Sequence, residues 1–268
     1  MTHNINKAIG IFDSGIGGLT VLKEIIQRLP KEDTVYLGDT ARVPYGTKSP
    51  ETVTRYSFEN TSFLLKHDIK LLVVACNTSS AISLKQIEKT LSIPVIGVLE
   101  PGAKAALKAT KSKRVGVIGT EATIGSEAYP DAIMKLDPGI VVIGTPCPLF
   151  VPLVEEGWTD DEITLMVAER YLNPLKREEI DTLLLGCTHY PLLKDIIKKI
   201  MGDGVSLIDS AQETAIEVER ILSEKRILRE SSHKGSREYF VTDAPGRFIN
   251  LGERLLGIHI DNVKQINT

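Results

Sequence analysis

Short apolar runs alternate along this chain with longer stretches in which apolar positions recur every three or four residues. Runs of four or five consecutive Ile, Val, Leu and Ala suit strands buried on both faces, and the periodic stretches suit helices that lay one face upon them. Strands are predicted at 8–12, 34–37, 71–75, 94–98, 114–118, 140–144, 182–185 and 205–208. Helices are predicted at 19–29, 50–66, 81–91, 103–109, 160–175, 192–200 and 213–222. This alternation defines an α/β fold with mainly parallel, doubly wound sheets.

The two halves echo each other. IGIFDSG places Asp13 and Ser14 just past a strand, and LLVVACNTS places Cys76, Asn77 and Thr78 past another, 63 positions after Asp13. VGVIGTEAT then puts Thr120 past a strand, and LLLGCTHYP puts Cys187, Thr188 and His189 past its own, 67 positions on. We read this as a weak internal duplication, although any two α/β halves share strand-turn-helix runs. Ligands of open α/β sheets bind beyond the carboxyl ends of the strands, so two such edges facing each other make a cleft.

Composition narrows the class. The 268 residues suffice for one large or two modest domains, and 42% hydrophobic with 25% charged residues excludes disordered, collagen-like and disulfide-scaffold chains. A net charge of −3 gives no general basic surface for nucleic acid. The polar lead-in 1–8 leaves no room for an export signal, and the apolar stretch 139–154 is broken by Pro146, Pro148 and Pro152, so neither export nor a membrane span is expected. A cytoplasmic location is the expectation. Three widely spaced cysteines without a CxxC pair leave thiol chemistry open and suggest no disulfide framework or metal site.

Cys76 follows an apolar run and precedes Asn77, Thr78 and Ser79, good caps for a helix beginning near Ala81. Cys187 follows 182–185 and precedes Thr188, His189 and Pro191, the last favoured in a first helical turn. Sulfur near a helix N-terminus is expected to have a thiol pKa below its usual value of about 8.5. Either cysteine taken singly also fits inert core. Cys147, between Pro146 and Pro148 with no helix start directly behind it, is read as packing.

The turn FDSGIGG sets Asp13 and Ser14 beside Gly15, Gly17 and Gly18, whose N–H groups can approach a small anion; Asp13 also fits a simple Asx-turn. Position 20 is Thr20, which breaks the dinucleotide fingerprint, and no Gly-Lys-Ser/Thr follows as in a P-loop. His189 can orient or deprotonate Cys187, or merely cap a helix. The stretch 42–50 reads as a loop that carries Tyr45 to a surface, where Tyr45 and Gly46 would offer a hydroxyl and an N–H to a carboxylate, or as a plain connection.

DSGIGG, PYG, ACNTS, GTEAT, PCPLFVPLVEEG, GCTHYPLL and LIDSA, in chain order and spread over nearly the whole chain, resemble the glutamate racemase family of the aspartate/glutamate racemase superfamily, with no departure at a motif position. The resemblance implies interconversion of L- and D-glutamate without pyridoxal phosphate or metal, supplying D-glutamate for peptidoglycan. It implies that Cys76 removes the α-proton of D-glutamate and Cys187 that of L-glutamate, assisted by Asp13 and His189. Ser14, Tyr45, Gly46, Asn77, Thr78, Thr120, Thr123 and Thr188 would hold the substrate, and Glu155 would support His189. It further implies two similar α/β domains, 1–97 plus 210–268 and 98–209, and a homodimer.

The chemistry agrees with those residue types. Inverting a carbon needs an acid and a base on opposite faces, and a poorly acidic α-proton needs donors around the carboxylate that takes up the charge. A racemase of aspartate or another small acid shares this machinery. A thiol-regulated binding protein, with an anion in the glycine turn, and a thiol hydrolase using Cys187 and His189 are the other readings; the hydrolase gives Cys76 no role.

Overall fold

The computed structural model describes residues 5–257 and 259–267. Residues 1–4 of the polar lead-in lie outside the described residues, as do 258 and 268. Two sheets form, both parallel throughout. The first contains β1 (Ala8–Asp13), β2 (Thr34–Gly38), β3 (Ile69–Val74) and β4 (Val95–Gly97). The second contains β5 (Arg114–Gly119), β6 (Val141–Pro146), β7 (Thr182–Gly186) and β8 (Ser206–Ile208). Two later strands, β9 (Arg237–Val241) and β10 (Val263–Gln265), return to the first sheet, whose order is β10-β9-β2-β1-β3-β4.

The second sheet runs β6-β5-β7-β8, so its strand order repeats β2-β1-β3-β4. Asp13 and Thr120 therefore leave matching central strands, and Cys76 and Cys187 leave the matching neighbours. All eight expected strands form, each within about two residues of its expected limits, and the expected α/β class holds.

Side chains alternate in direction along each strand, which loads both faces of each sheet. Ile9, Ile11, Leu71 and Val73 pack beneath the helices Leu19–Arg28 and Ala211–Glu224, while Phe12, Val35, Leu72 and Val74 face the helix Pro50–Leu65. In the second sheet Leu183 and Leu185 face one cluster, and Val115, Val117 and Leu184 the other. Each fully buried Leu or Ile contributes roughly 1.5–3 kcal/mol, so these runs fix which edge carries the polar turns. β6 is the exception: it is an edge strand with Val141 half exposed, and it ends at Pro146, which cannot donate to a ladder.

Local chemistry sets the helix starts. Ser49 accepts from the Thr52 N–H ahead of Pro50, and Asp161 accepts from the Ile163 N–H at the head of the helix Glu162–Lys176. The helix expected from Ala81 instead begins at Asn77, stops at Ile82, and resumes as Leu84–Thr90 after Ser83. Small polar residues mask that first turn in the sequence. The helices Glu121–Gly125, Ala128–Leu136, Phe150–Glu155 and Pro245–Leu256 were not expected. One of them starts three residues after Cys147, which is not itself at the helix start and is fully buried among apolar side chains, as the packing reading expects. Among the described residues no helix is long and apolar enough to cross a membrane.

Candidate active site

Cys76 is itself the N-cap of the helix Asn77–Ile82, with extended backbone, and its carbonyl accepts from the Ser80 N–H. Its thiol donates to the Ser14 hydroxyl at 3.6 Å. Cys187 follows β7 and leads into a short 3-10 turn, Tyr190–Leu193, before the helix Lys194–Met201. The two cysteine turns are therefore alike in the strand before them and unlike in the helix after. The sulfur of Cys187 lies 3.8 Å from His189 Nδ1, and His189 Nε2 lies 2.7 Å from Glu155 Oε1. Arg247, from the helix Pro245–Leu256, donates to the Glu155 carbonyl and to Glu156 Oε1.

Asp13 joins the two turns. Its Oδ2 accepts from the Gly15 N–H at 2.9 Å, and its Oδ1 accepts from the Thr188 hydroxyl at 3.1 Å. Ser14, next to Asp13, touches Cys76, and Thr188 is next to Cys187, so both thiols border one buried polar region. Gly17 makes the approach possible: a Cβ there would stand 2.5 Å from Thr188 Oγ1 and 2.6 Å from His189 Nδ1. The expectation of a glycine turn open to an outside anion is corrected at Gly15, whose N–H serves Asp13; the Asx-turn reading fits that contact.

Three hydroxyls bridge the sheets on the other side. Thr78 lies 3.0 Å from Thr120 and 3.1 Å from Thr123, which are 2.9 Å apart. Thr120 also caps the helix Glu121–Gly125 through the Thr123 N–H. Gly46 lies against this cluster so closely that a Cβ would stand 2.2 Å from Thr120 Cβ. Tyr45 differs from expectation: it is 1% exposed, not at a surface. Its hydroxyl donates to Asp39 and accepts from Asn60 at 3.0 Å, so only its backbone remains to meet a carboxylate. Asp39 is pinned by Arg42 and by the Thr242 hydroxyl, which ties this loop to the returning chain.

Burial governs the electrostatics. Cys76 is pushed up to about 11 by burial and by the nearby Asp13 carboxylate, against the N–H of Ser79 and the hydroxyl of Ser14. The expected lowering of this thiol is thereby overturned, since desolvation outweighs the helix N-terminus. Asp13 is also raised, by burial, with His189, the Gly18 and Gly15 N–H groups and Thr188 offsetting part of it. His189 moves the other way from what burial dictates: its hydrogen bonds to Cys187 and Glu155 outweigh desolvation and lift it well above the usual range. Glu155 is held down, despite burial, by His189, Arg247 and the Ile16 N–H. The two cysteines thus stand in different surroundings, Cys76 beside Ser14 and the Asp13 carboxylate and Cys187 beside the His189–Glu155 pair.

These contacts bring Asp13, Ser14, Cys76, Cys187, Thr188, His189 and Glu155 together, and Gly46, Thr78, Thr120 and Thr123 with one another. Asn77, Thr78, Thr120, Thr123, Thr188, Asp13, Ser14, Cys76, Cys187 and His189 are all below one tenth exposed, so little water reaches them. Sequence reading missed Tyr129, which accepts from Asn77 Nδ2 at 2.6 Å, and Arg247 behind Glu155. Both sit in helices without motif residues, and only the tertiary fold brings them here.

Two like-ordered parallel sheets each end in a buried cysteine beside polar groups, and the chain's relatives place it in the amino-acid racemase class of isomerases. The family model described as Asp/Glu/Hydantoin racemase matches residues 9–218. A curated glutamate racemase of Geobacter metallireducens is 60% identical, covering 97% of this chain and 97% of that protein. The crystal structure of a Bacillus anthracis glutamate racemase matches with a TM-score of 0.94 at 46% identity, over 97% of both chains. That of a Francisella tularensis glutamate racemase in complex with D-glutamate matches with a TM-score of 0.92 at 39% identity, over 98% of both. The chain belongs to the Asp/Glu/hydantoin racemase family, among its glutamate racemases.

Proposed function

We propose that this protein interconverts L- and D-glutamate by direct proton transfer at the α-carbon. The observation that carries the reading is that each thiol has its own buried polar partner: Cys76 donates to Ser14 beside the Asp13 carboxylate, whereas Cys187 lies 3.8 Å from His189 Nδ1, whose Nε2 meets Glu155. With L-glutamate, the Cys187 thiolate takes the α-proton, forming an S–H bond as the C–H bond breaks. The electron pair left on carbon spreads into the α-carboxylate, where the hydroxyls of Thr78, Thr120 and Thr123 supply donors, while Asn77 and Thr188 hold the other groups of the substrate. The Cys76 thiol then gives its proton to the opposite face, and D-glutamate leaves. The reverse reaction begins with Cys76 as thiolate, its proton passing toward Asp13.

Ser14 and the backbone of Tyr45 and Gly46 meet the remaining substrate groups, and Glu155 keeps His189 charged. The reading needs neither pyridoxal phosphate nor a metal ion. It brings with it a cytoplasmic homodimer that supplies D-glutamate for peptidoglycan, and two units, 1–97 plus 210–268 and 98–209, that close on the substrate. The relatives' substrate supports glutamate over aspartate.

The test is formation of D-glutamate by purified protein without added cofactor, run beside L-aspartate. Cys76→Ser and Cys187→Ser should each lose racemisation by at least about 100-fold, the usual scale for a general acid or base. Turnover of aspartate in place of glutamate refutes the substrate. A Cys76→Ser variant that keeps full racemisation refutes the two-thiol mechanism.

A further inference from the structure

Tyr129 lies on the helix Ala128–Leu136, 1% exposed, in a cluster with Leu99, Ala103 and Leu184. Its ring edge rests against Gly186, the residue before Cys187: a Cβ there would stand 2.9 Å from Tyr129 Cε2 and 2.8 Å from the Ile118 carbonyl. On the opposite side of the ring, a Cβ at Gly102 would come 3.6 Å from the phenol oxygen. The hydroxyl then reaches across to the first sheet's turn and accepts from Asn77 Nδ2 at 2.6 Å. Asn77 immediately follows Cys76. One phenol therefore connects the backbone behind one thiol with the side chain beside the other.

Asn77 is 2% exposed, and its Oδ1 meets no hydrogen-bond partner among the described residues. A buried acceptor without a donor is costly, and in a site that must hold an amino acid it is suited to an ammonium N–H. With Nδ2 donating to the Tyr129 oxygen, Oδ1 is turned away from the phenol. Without the phenol, the amide can turn over and exchange donor for acceptor. We infer that Tyr129 is a positioning residue, which fixes the Asn77 amide so that Oδ1 is offered to the α-ammonium of the substrate. Because its ring is wedged against Gly186, it sets that amide in register with the Cys187 turn as well. The inference rests on the proposed role of Asn77 as a substrate-holding residue.

A double-mutant cycle separates the two claims. Tyr129→Phe, Asn77→Ala and the pair together are compared with wild type for kcat and KM in both directions, with Tm measured for each. Tyr129→Phe keeps the ring and should lower kcat/KM by about tenfold, the scale of one buried hydrogen bond, with Tm within a few degrees of wild type. The pair should lose no more than Asn77→Ala loses alone, within about twofold. Wild-type activity in Tyr129→Phe, full additivity with Asn77→Ala, or a loss that follows a large fall in Tm overturns the positioning role. Full activity in Asn77→Ala overturns instead the reading of the site on which it rests.

Discussion

At Asp13 a single carboxylate shows how the site trades stability for chemistry. Burial lifts its pKa, so the folded chain binds that proton more tightly than the unfolded chain. Stability therefore falls as pH rises from the unfolded value of about 3.9 through the raised folded value, and it stays lower at neutral pH. Asp13→Asn removes that cost; its Oδ1 can still accept from the Gly15 N–H, while its Nδ2 would donate to the Thr188 oxygen in place of accepting from it. It should hold or raise Tm, by calorimetry, while kcat with D-glutamate falls by about 100-fold or more. His189 has the same sign over a higher pH window. Its folded pKa is raised, so its stabilisation is complete below about 6.5 and lost as pH rises through the folded value. Glu155→Gln removes one cause of that rise, and the high-pH limb of the kcat profile with L-glutamate should move to lower pH. An unmoved limb would separate Glu155 from the titration of His189.

Elements were legible where their cause is local. β1, β2, β3, β5 and β7 announce themselves because both faces are buried, and a run such as Leu71–Val74 has no polar member to confuse it, whereas the edge strands β6 and β8 are marked only by their apolar residues. β9 is different: Arg237 and Glu238 open it, and only pairing with β2 makes it a strand. The helix at Asn77 hides for a related reason, since Asn, Thr and Ser lack the apolar period. At the site, the cysteines, Asp13, His189 and the threonines were legible as motif residues at strand ends. The direction of the Cys76 shift was not, because it depends on burial that no window of sequence contains. Tyr45 was misjudged because Asp39 and Asn60, its partners, come from other segments.

One element-level contact tests whether fold and site are separable. Lys70, near the start of β3, forms a buried ion pair with Glu32 at 2.6 Å and donates to the carbonyls of Ile5 and Ile227. Glu32 in turn accepts from the Arg229 N–H, which anchors the returning chain. Cys76 lies beyond the far end of β3, about 20 Å away at the rise of an extended strand. Lys70→Met leaves a buried carboxylate alone and should cost about 3–5 kcal/mol in urea unfolding. Below the unfolding transition, kcat should be unchanged; a loss of kcat in fully folded protein would contradict this separation.

Across the whole molecule, two sheets with one strand order place equivalent positions on either side of a single region, and Asp13–Thr188, Thr78–Thr120 and Asn77–Tyr129 tie the sides together. Two bases with separate protons should leave an isotopic record. In D₂O, with L-glutamate sampled at low conversion, the D-glutamate formed should carry deuterium at the α-carbon in nearly every molecule, because the proton delivered by Cys76 comes from solvent. The remaining L-glutamate should stay almost free of label. Protium retained in the product, or deuterium entering the recovered L-glutamate as fast as product appears, would mean that one group serves both faces and would contradict the two-thiol account.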